Sequence, residues 1–294
     1  MITDSQIHLW EANRRDRPWT AISEPNLPEP YGPERFLSVL DRAGVDRAVI
    51  VPPGFMGTNN EYGLECAARH PTRLAVMGLI NPAAPDAPEQ VAGWLSQPGM
   101  IGIRTHVHAR LRAFWGSDEA ADPFWAACER HDVPVAVFST GAKDYVERVV
   151  RRHPGLRLII DHMGLPVAEA LAGARGDGVE SLDHPEIRQM LALARYPRVA
   201  VKVSTKPPFD RSPTGIELVR RVVEAYGPER LFWGTDYTQA LRIGYERYEE
   251  QVDVIRVAAD FLGDDDRKWI LGRALAEYLH WPDGAESTAL ARRR

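Results

Sequence analysis

The sequence predicts an α/β protein, a parallel eight-stranded (β/α)8 TIM barrel that takes residues 1–294 as one domain. Three observations carry this. Eight short, apolar, β-rich runs recur along the chain. Stretches with helical apolar spacing separate them. Polar residues gather late in the runs, at the strand ends where barrels of this kind place their sites. A doubly wound open sheet is the competing arrangement, since periodicity alone does not prove closure. The count of eight and the lack of a Gly-x-Gly-x-x-Gly fingerprint favour the barrel.

The runs come in order. The first is "ITDSQIHLW" (2–10), alternating at its start and closing on His8 and an aromatic. Residues 11–33 are too Pro-rich for a helix and are expected to loop over the barrel mouth. Phe36, Leu37 and Leu40 have helical spacing, "AGVDR" (43–47) stops that helix, and "RAVIVPP" (47–53) follows. "RHPTR" (69–73) precedes the third run, "LAVMGLIN" (74–81). The fourth and fifth runs are "IGIRTHV" (101–107) and "PVAVFST" (134–140). Val146, Val149 and Val150 mark the next helix, and "RHPGL" (152–156) leads into "LRLIIDHMG" (156–164). A Gly- and Ala-rich insertion, 165–184, precedes "VAVKVST" (199–205). "YGPER" (226–230) introduces the last run, "RLFWGTDY" (230–237).

Composition narrows the classes. Apolar residues make up 44% and charged residues 26%, as in ordinary globular proteins. The net charge of −5 gives no footprint for nucleic acid. Cys66 and Cys128 both sit in helix-like stretches and are expected to be buried thiols in a reducing compartment. No run reaches 18 apolar residues and the start lacks a signal pattern, so no membrane partner and a cytoplasmic location are expected. The "ARRR" tail, 291–294, is expected to fray.

The candidate site follows from the strand ends. Gln6 and His8 are two apart, hence on one face of the first strand. Arg104, His106 and His108 repeat that spacing on the fourth. His162 follows the sixth run and is expected on the face of Leu158 and Ile160. Lys202 and Ser204 belong to the seventh strand, Asp236 to the eighth. Taken singly, each has a plainer use. A strand-end histidine is commonly a loop residue, Asp236 could cap a helix, and Lys202 could snorkel outward. Their convergence in one barrel is what argues for a site.

At this point the chain resembles a family. "DSQIHLW", "GIRTHV", "DPFWAACERHDVPVAV", "IIDHMG", "VAVKVS" and "LFWGTDY", in this order, look like the amidohydrolase-related TIM-barrel hydrolases. The narrower likeness is to the branch with 2-pyrone-4,6-dicarboxylate lactonase, sulfomuconolactone hydrolase and sugar lactonases. "GTNNEYGLECAARHP" (57–71) and "WILGRALAEYL" (269–279) extend it over nearly the whole chain. The resemblance implies that His8, His162 and Asp236 are catalytic and could ligate a metal, and that Arg104 holds a substrate carboxylate. Gln6 stands where the family pattern has the first histidine of His-x-His. A neutral amide oxygen is a poor zinc ligand. The expectation is therefore either no metal or a weakly held Zn2+ or Mn2+. "GTDYTQ" also departs from the family's Gly-Thr/Ser-Asp-Trp-Pro.

The expected reaction is hydrolysis of a lactone-like or related cyclic, carboxylate-bearing small molecule. Asp236 would activate water, and His8 and His162 would polarise the carbonyl. Arg104, Gln6, His106, Lys202 and Tyr237 are the expected substrate contacts. Lys206 and Arg242 would add positive field, and Trp10, Trp19, Phe55 and Trp115 would line an apolar mouth. Two rivals remain: a metal-dependent decarboxylase of an aromatic or muconate-type acid, and a ligand-binding descendant without catalysis. A homo-oligomer is compatible with the sequence.

Overall fold

Parallel pairing runs without a break through β1 (Thr3–Ile7), β2 (Arg47–Ile50), β3 (Leu74–Leu79), β4 (Met100–His106), β5 (Val135–Phe138), β6 (Leu158–Ile160), β7 (Val199–Ser204) and β8 (Leu231–Gly234). This is seen in a computed structural model that describes residues 1–20, 24–108, 112–165, 182–204, 212–242 and 247–281. The last seam joins the end of β8 to β1. Asp236 N–H donates to Gln6 O at 3.0 Å, and His8 N–H donates to Tyr237 O at 3.0 Å. The eight runs thus form the predicted (β/α)8 barrel, although most strands stop short of the ends of their runs. β6 has only three residues of a nine-residue run, and His8, His162 and Asp236 all lie beyond a strand end.

Helices form between the strands where the apolar spacing places them. Pro33–Ala43 starts on Pro, whose fixed φ suits a first helical position, and buries Phe36, Val39 and Leu40. It ends on Gly44 at φ 67°, a left-handed cap that glycine adopts without Cβ strain. Lys143–Arg152 buries Tyr145, Val146, Val149 and Val150 on one face. Ser212 caps Pro213–Tyr226 through its side chain, which accepts from Gly215 N–H.

The strands separate two apolar layers. Val49, Val51, Met77, Leu79, Ala136, Ile159, Ala200 and Phe232 point into the barrel. Ala274, Leu275, Leu279 and Trp281 join them from the last helical segment. That segment lies under the amino ends of the strands, where Arg47 stacks over Trp281 at 4.3 Å and Tyr278 bonds Leu158 O. Ile7, Ile50, Ile103, Val137, Leu158, Ile160, Val203 and Trp233 point outward to the helices. Neighbours in parallel register share a face. Leu79 pairs with Arg104 and Lys202 with Phe232, so Arg104 and Lys202 both point inward. Lys202 therefore does not snorkel between barrel and helices.

Cys66 and Cys128 are buried and free, as expected. Among the described residues no helix is long and apolar enough to cross a membrane. The loop after β1 is pinned by the Trp10–Tyr31 bridge and by Thr20 N–H on Phe55 O. Residues 166–181 of the predicted insertion and the 291–294 tail lie outside the described residues.

Candidate active site

Two left-handed turns aim the site residues. Asp236, just past β8, has φ 53°, a conformation that aspartate tolerates better than most residues. His162 has φ 53° and ψ 39°, followed by Met163 at φ 54° and Gly164 at φ 65°. Leu158 and Ile160 point outward, so an extended continuation would carry His162 outward with them. The turn reverses that direction and brings the imidazole inward. The expected face was therefore wrong, and the inward residue of that parity is Asp161. Lys143, an ion-pair partner of Glu186, holds the turn by donating to Gly164 O and to Ser139 O.

The hydrogen-bond network follows from one buried cation. Lys202 Nζ donates to Gln6 Oε1 at 2.8 Å. This fixes the amide, because the opposite orientation would set –NH2 against –NH3+. Gln6 Nε2 then donates to Asp236 Oδ1 at 3.0 Å and lies 3.3 Å from His162 Nε2, which accepts. His162 accordingly carries its proton on Nδ1 and donates to Ser204 Oγ at 2.7 Å. His8 Nδ1 donates to Val51 O at 2.8 Å, and its Nε2 stands 2.9 Å from Asp236 Oδ1. His162 Nε2 is 3.8 Å from Asp236 Oδ2.

A second cluster adjoins the first. Asp161 is fully buried between Arg104 Nε at 3.0 Å and Lys202 Nζ at 2.9 Å. Burial alone would raise its carboxyl, but the ammonium and guanidinium outweigh this and hold it well below the usual carboxylate range. Burial lowers the Lys202 ammonium, and Asp161 opposes that. Arg104 Nη1 also bonds His106 Nε2, whose ring burial and the adjacent guanidinium keep well below the usual histidine value. Arg104 remains 8% exposed, and its Nη2 has no hydrogen bond among the described residues.

Gln6, His8, Arg104, His106, His162, Lys202 and Asp236 thus form one connected set. Tyr237 does not join it. Its ring packs with Tyr31, Phe36 and Tyr248 behind β8, because the turn at Asp236 sends the next side chain outward. Trp10 and Phe55 are buried rather than open to the mouth. Trp19 packs at a tilt against Phe55 with ring centroids 4.8 Å apart, and Trp115 meets Tyr145 edge to face at 5.9 Å. His108 touches the edge of His106 at 5.8 Å. Lys206 and the side chain of Arg242 lie outside the described residues. Sequence reasoning missed Asp161, although its spacing of two from inward Ile159 was the signal. It also missed Asp4, which gives no sequence signal of its own.

A zinc or manganese ion does not fit the residues as they are arranged. Asp236 Oδ1 and His162 Nε2, two of the three expected ligand atoms, face the Gln6 amide N–H. The one Gln6 atom able to ligate, Oε1, holds the Lys202 ammonium. Among the described residues no group of three or more His, Cys, Asp or Glu is disposed to hold a metal.

Comparison with known proteins adds lineage. The amidohydrolase family profile matches residues 3–276. The chain is 27% identical over 276 residues to an L-fucono-1,5-lactonase of Burkholderia ambifaria, covering 92% of each chain. It is 21% identical over 241 residues to a 4-sulfomuconolactone hydrolase of Hydrogenophaga intermedia, covering 80% of this chain and 74% of that one. Among solved structures, an amidohydrolase of Burkholderia multivorans with bound zinc superposes with a TM-score of 0.75 at 22% identity, covering 96% of this chain and 100% of the other.

Proposed function

The chain belongs to the amidohydrolase family, and we propose that within it this protein is a hydrolase that opens a carboxylate-bearing cyclic ester. The observation that carries the reading is the His8–Asp236 pair. Val51 O can only accept, so His8 Nδ1 holds a proton. His8 Nε2 stands 2.9 Å from Asp236 Oδ1, close enough to pass a proton between them. In this reading the pair carries one proton on His8 Nε2, and the Asp236 carboxylate accepts the next. Asp236 takes a proton from water as the hydroxide adds to the lactone carbonyl. His8 gives its Nε2 proton to the ring oxygen as the C–O bond breaks and the electron pair leaves with that oxygen. Asp236 then returns its proton to His8, and the hydroxy acid departs.

The other residues position these groups. His162 Nε2 accepts from Gln6, so donation to a substrate oxygen falls to His8. Arg104 turns its Nη2 edge to a substrate carboxylate, held in place by Asp161 and His106. Relatives whose names are those of lactone hydrolases support ring opening.

A lactone panel followed by pH-stat tests the reading. Base uptake on a carboxylate-bearing lactone is the expected result. Release of CO2 from an aromatic acid would replace it with decarboxylation. Tight binding without turnover would make the protein a ligand-binding descendant. On the best substrate, Asp236→Asn should lower kcat by about 10²–10⁴ with KM little changed. Arg104→Met should raise KM about tenfold, as the loss of a charge-assisted bond of roughly 1.5–3 kcal/mol implies. Arg104→Lys, which keeps a charge for Asp161 but lacks the fork, should recover part of it. Thermal melts on the same preparations separate these effects from loss of fold. Activity that merely tracks the folded fraction would sink both roles.

A further inference from the structure

We infer that Gln6 and Lys202 together act as a built-in cation in this barrel: they occupy the place of a metal ion and keep divalent metals out. Two buried groups make the argument. Lys202 is 1% exposed and Gln6 is 1% exposed, so both are held by protein partners away from bulk water. A cation that binds both Asp236 Oδ1 and His162 Nε2 must first displace Gln6 Nε2 from both. Rotating the amide to offer Oε1 does not help, because it points –NH2 at the Lys202 ammonium 2.8 Å away. Swinging Gln6 aside would strip Lys202 of its only neutral oxygen acceptor among the described residues, leaving Asp161.

Charge points the same way. Among the described residues the Arg104 guanidinium and the Lys202 ammonium already share one buried carboxylate, Asp161. A divalent ion would add charge to a buried cluster whose inner carboxylate is already paired with two cations. Lys202 is thus a positioning residue. Its charge orients Gln6, Gln6 sets the His162 tautomer, and the polarised amide N–H gives Asp236 and His162 the electrophilic partner a metal would supply.

Reliance on Lys202 separates this inference from the simpler idea that Gln6 is only a missing ligand. Co2+ is the probe, read as metal per chain after desalting and as the visible band of a ligated ion. The unaltered protein should retain no stoichiometric Co2+. Gln6→His alone should bind weakly, because the ammonium stays beside the new imidazole. Gln6→His with Lys202→Met should approach one Co2+ per chain and bind about 10–100-fold more tightly than Gln6→His, the usual range for a residue that tunes a metal's ligands from behind. Stoichiometric Co2+ in the unaltered protein overturns the inference. So does equal affinity in the single and double variants. Should the Lys202 variant not fold, imidazole 15N spectra of the unaltered protein with excess Zn2+ decide. Unmoved His8 and His162 resonances support exclusion, and a ligation shift at either ends it. None of these readouts depends on turnover, so the hydrolase reading stands or falls separately.

Discussion

Asp4 and Asp161 are both 0% exposed, yet their surroundings drive them in opposite directions. Asp4 lies on the outer side of β1, where the groups that reach it among the described residues are neutral. It accepts from Gln6 N–H at 3.0 Å, from Thr235 N–H at 3.0 Å and Oγ1 at 2.6 Å, and from Tyr248 OH at 2.8 Å. Burial still outweighs these donors and pushes its carboxyl up from 3.8 to about 6. Asp161 lies on the inner side of the barrel between an ammonium and a guanidinium, and stays ionised. In a dry interior, full charges offset desolvation and neutral donors do so only in part. The two carboxylates also hold different halves of the site. Asp4 ties β1 to the segment that carries Asp236, whereas Asp161 locks β4, β6 and β7 around Arg104 and Lys202.

The sharpest way to break this comparison is Asp161→Asn. It leaves two buried cations without their counter-charge, and loss of one partner from such a cluster costs about 3–5 kcal/mol. Urea unfolding should show a loss of that size, and adding Lys202→Met should recover part of it. A loss below about 1 kcal/mol, the worth of an ordinary hydrogen bond, would mean that Asp161 is no more critical than a neutral acceptor.

The pH dependence sharpens the contrast. Between the ordinary carboxylate value and about 6, folded Asp4 binds more proton than unfolded Asp4. Its contribution is therefore complete at acid pH and lost as pH rises through about 6. The size is about 3 kcal/mol for a shift of this extent. Asp161 runs the other way. Its contribution is present above the ordinary carboxylate range and lost as pH falls. Unfolding of the parent and Asp4→Asn, compared from pH 4 to pH 7, should show the variant gaining on the parent by about that amount. A pH-independent difference would refute the raised carboxyl.

Tyr248→Phe should have the smallest effect. It removes one of four donors to Asp4 and should cost about 1 kcal/mol. Chemical denaturation of the variant measures it, and a loss as large as that of Asp161→Asn would erase the distinction between the two carboxylates.

Much of the site was legible before any coordinates. Eight apolar runs gave the barrel, because burial of a strand requires them. Arg104 and Lys202 were placed on their strands by residue pattern, and so was Gln6, although the register of β1 shifts between Asp4 and Ile7 and turns Asp4 to the opposite face from Gln6. The errors begin where strands end. His162 reaches the site although its expected face was the outward one, and Tyr237 leaves although its neighbour Asp236 stays. Lys206 and Arg242, also expected near the mouth, have no described side chains against which to weigh that expectation.

By itself the sequence determined the barrel, the order of its strands and the cast of polar residues near its mouth, because apolar periodicity and residue chemistry are local properties. Only the tertiary structure decided which way His162 and Asp236 point, since one left-handed φ reverses a side chain and local pattern does not mark where a strand stops. It also decided that Asp161 is a charged hub, Asp4 a neutral-donor clasp, and Gln6 a donor to its neighbours. Those states follow from burial and from partners dozens to hundreds of residues away, which fix the energy of a charge or the orientation of an amide only once the chain has closed.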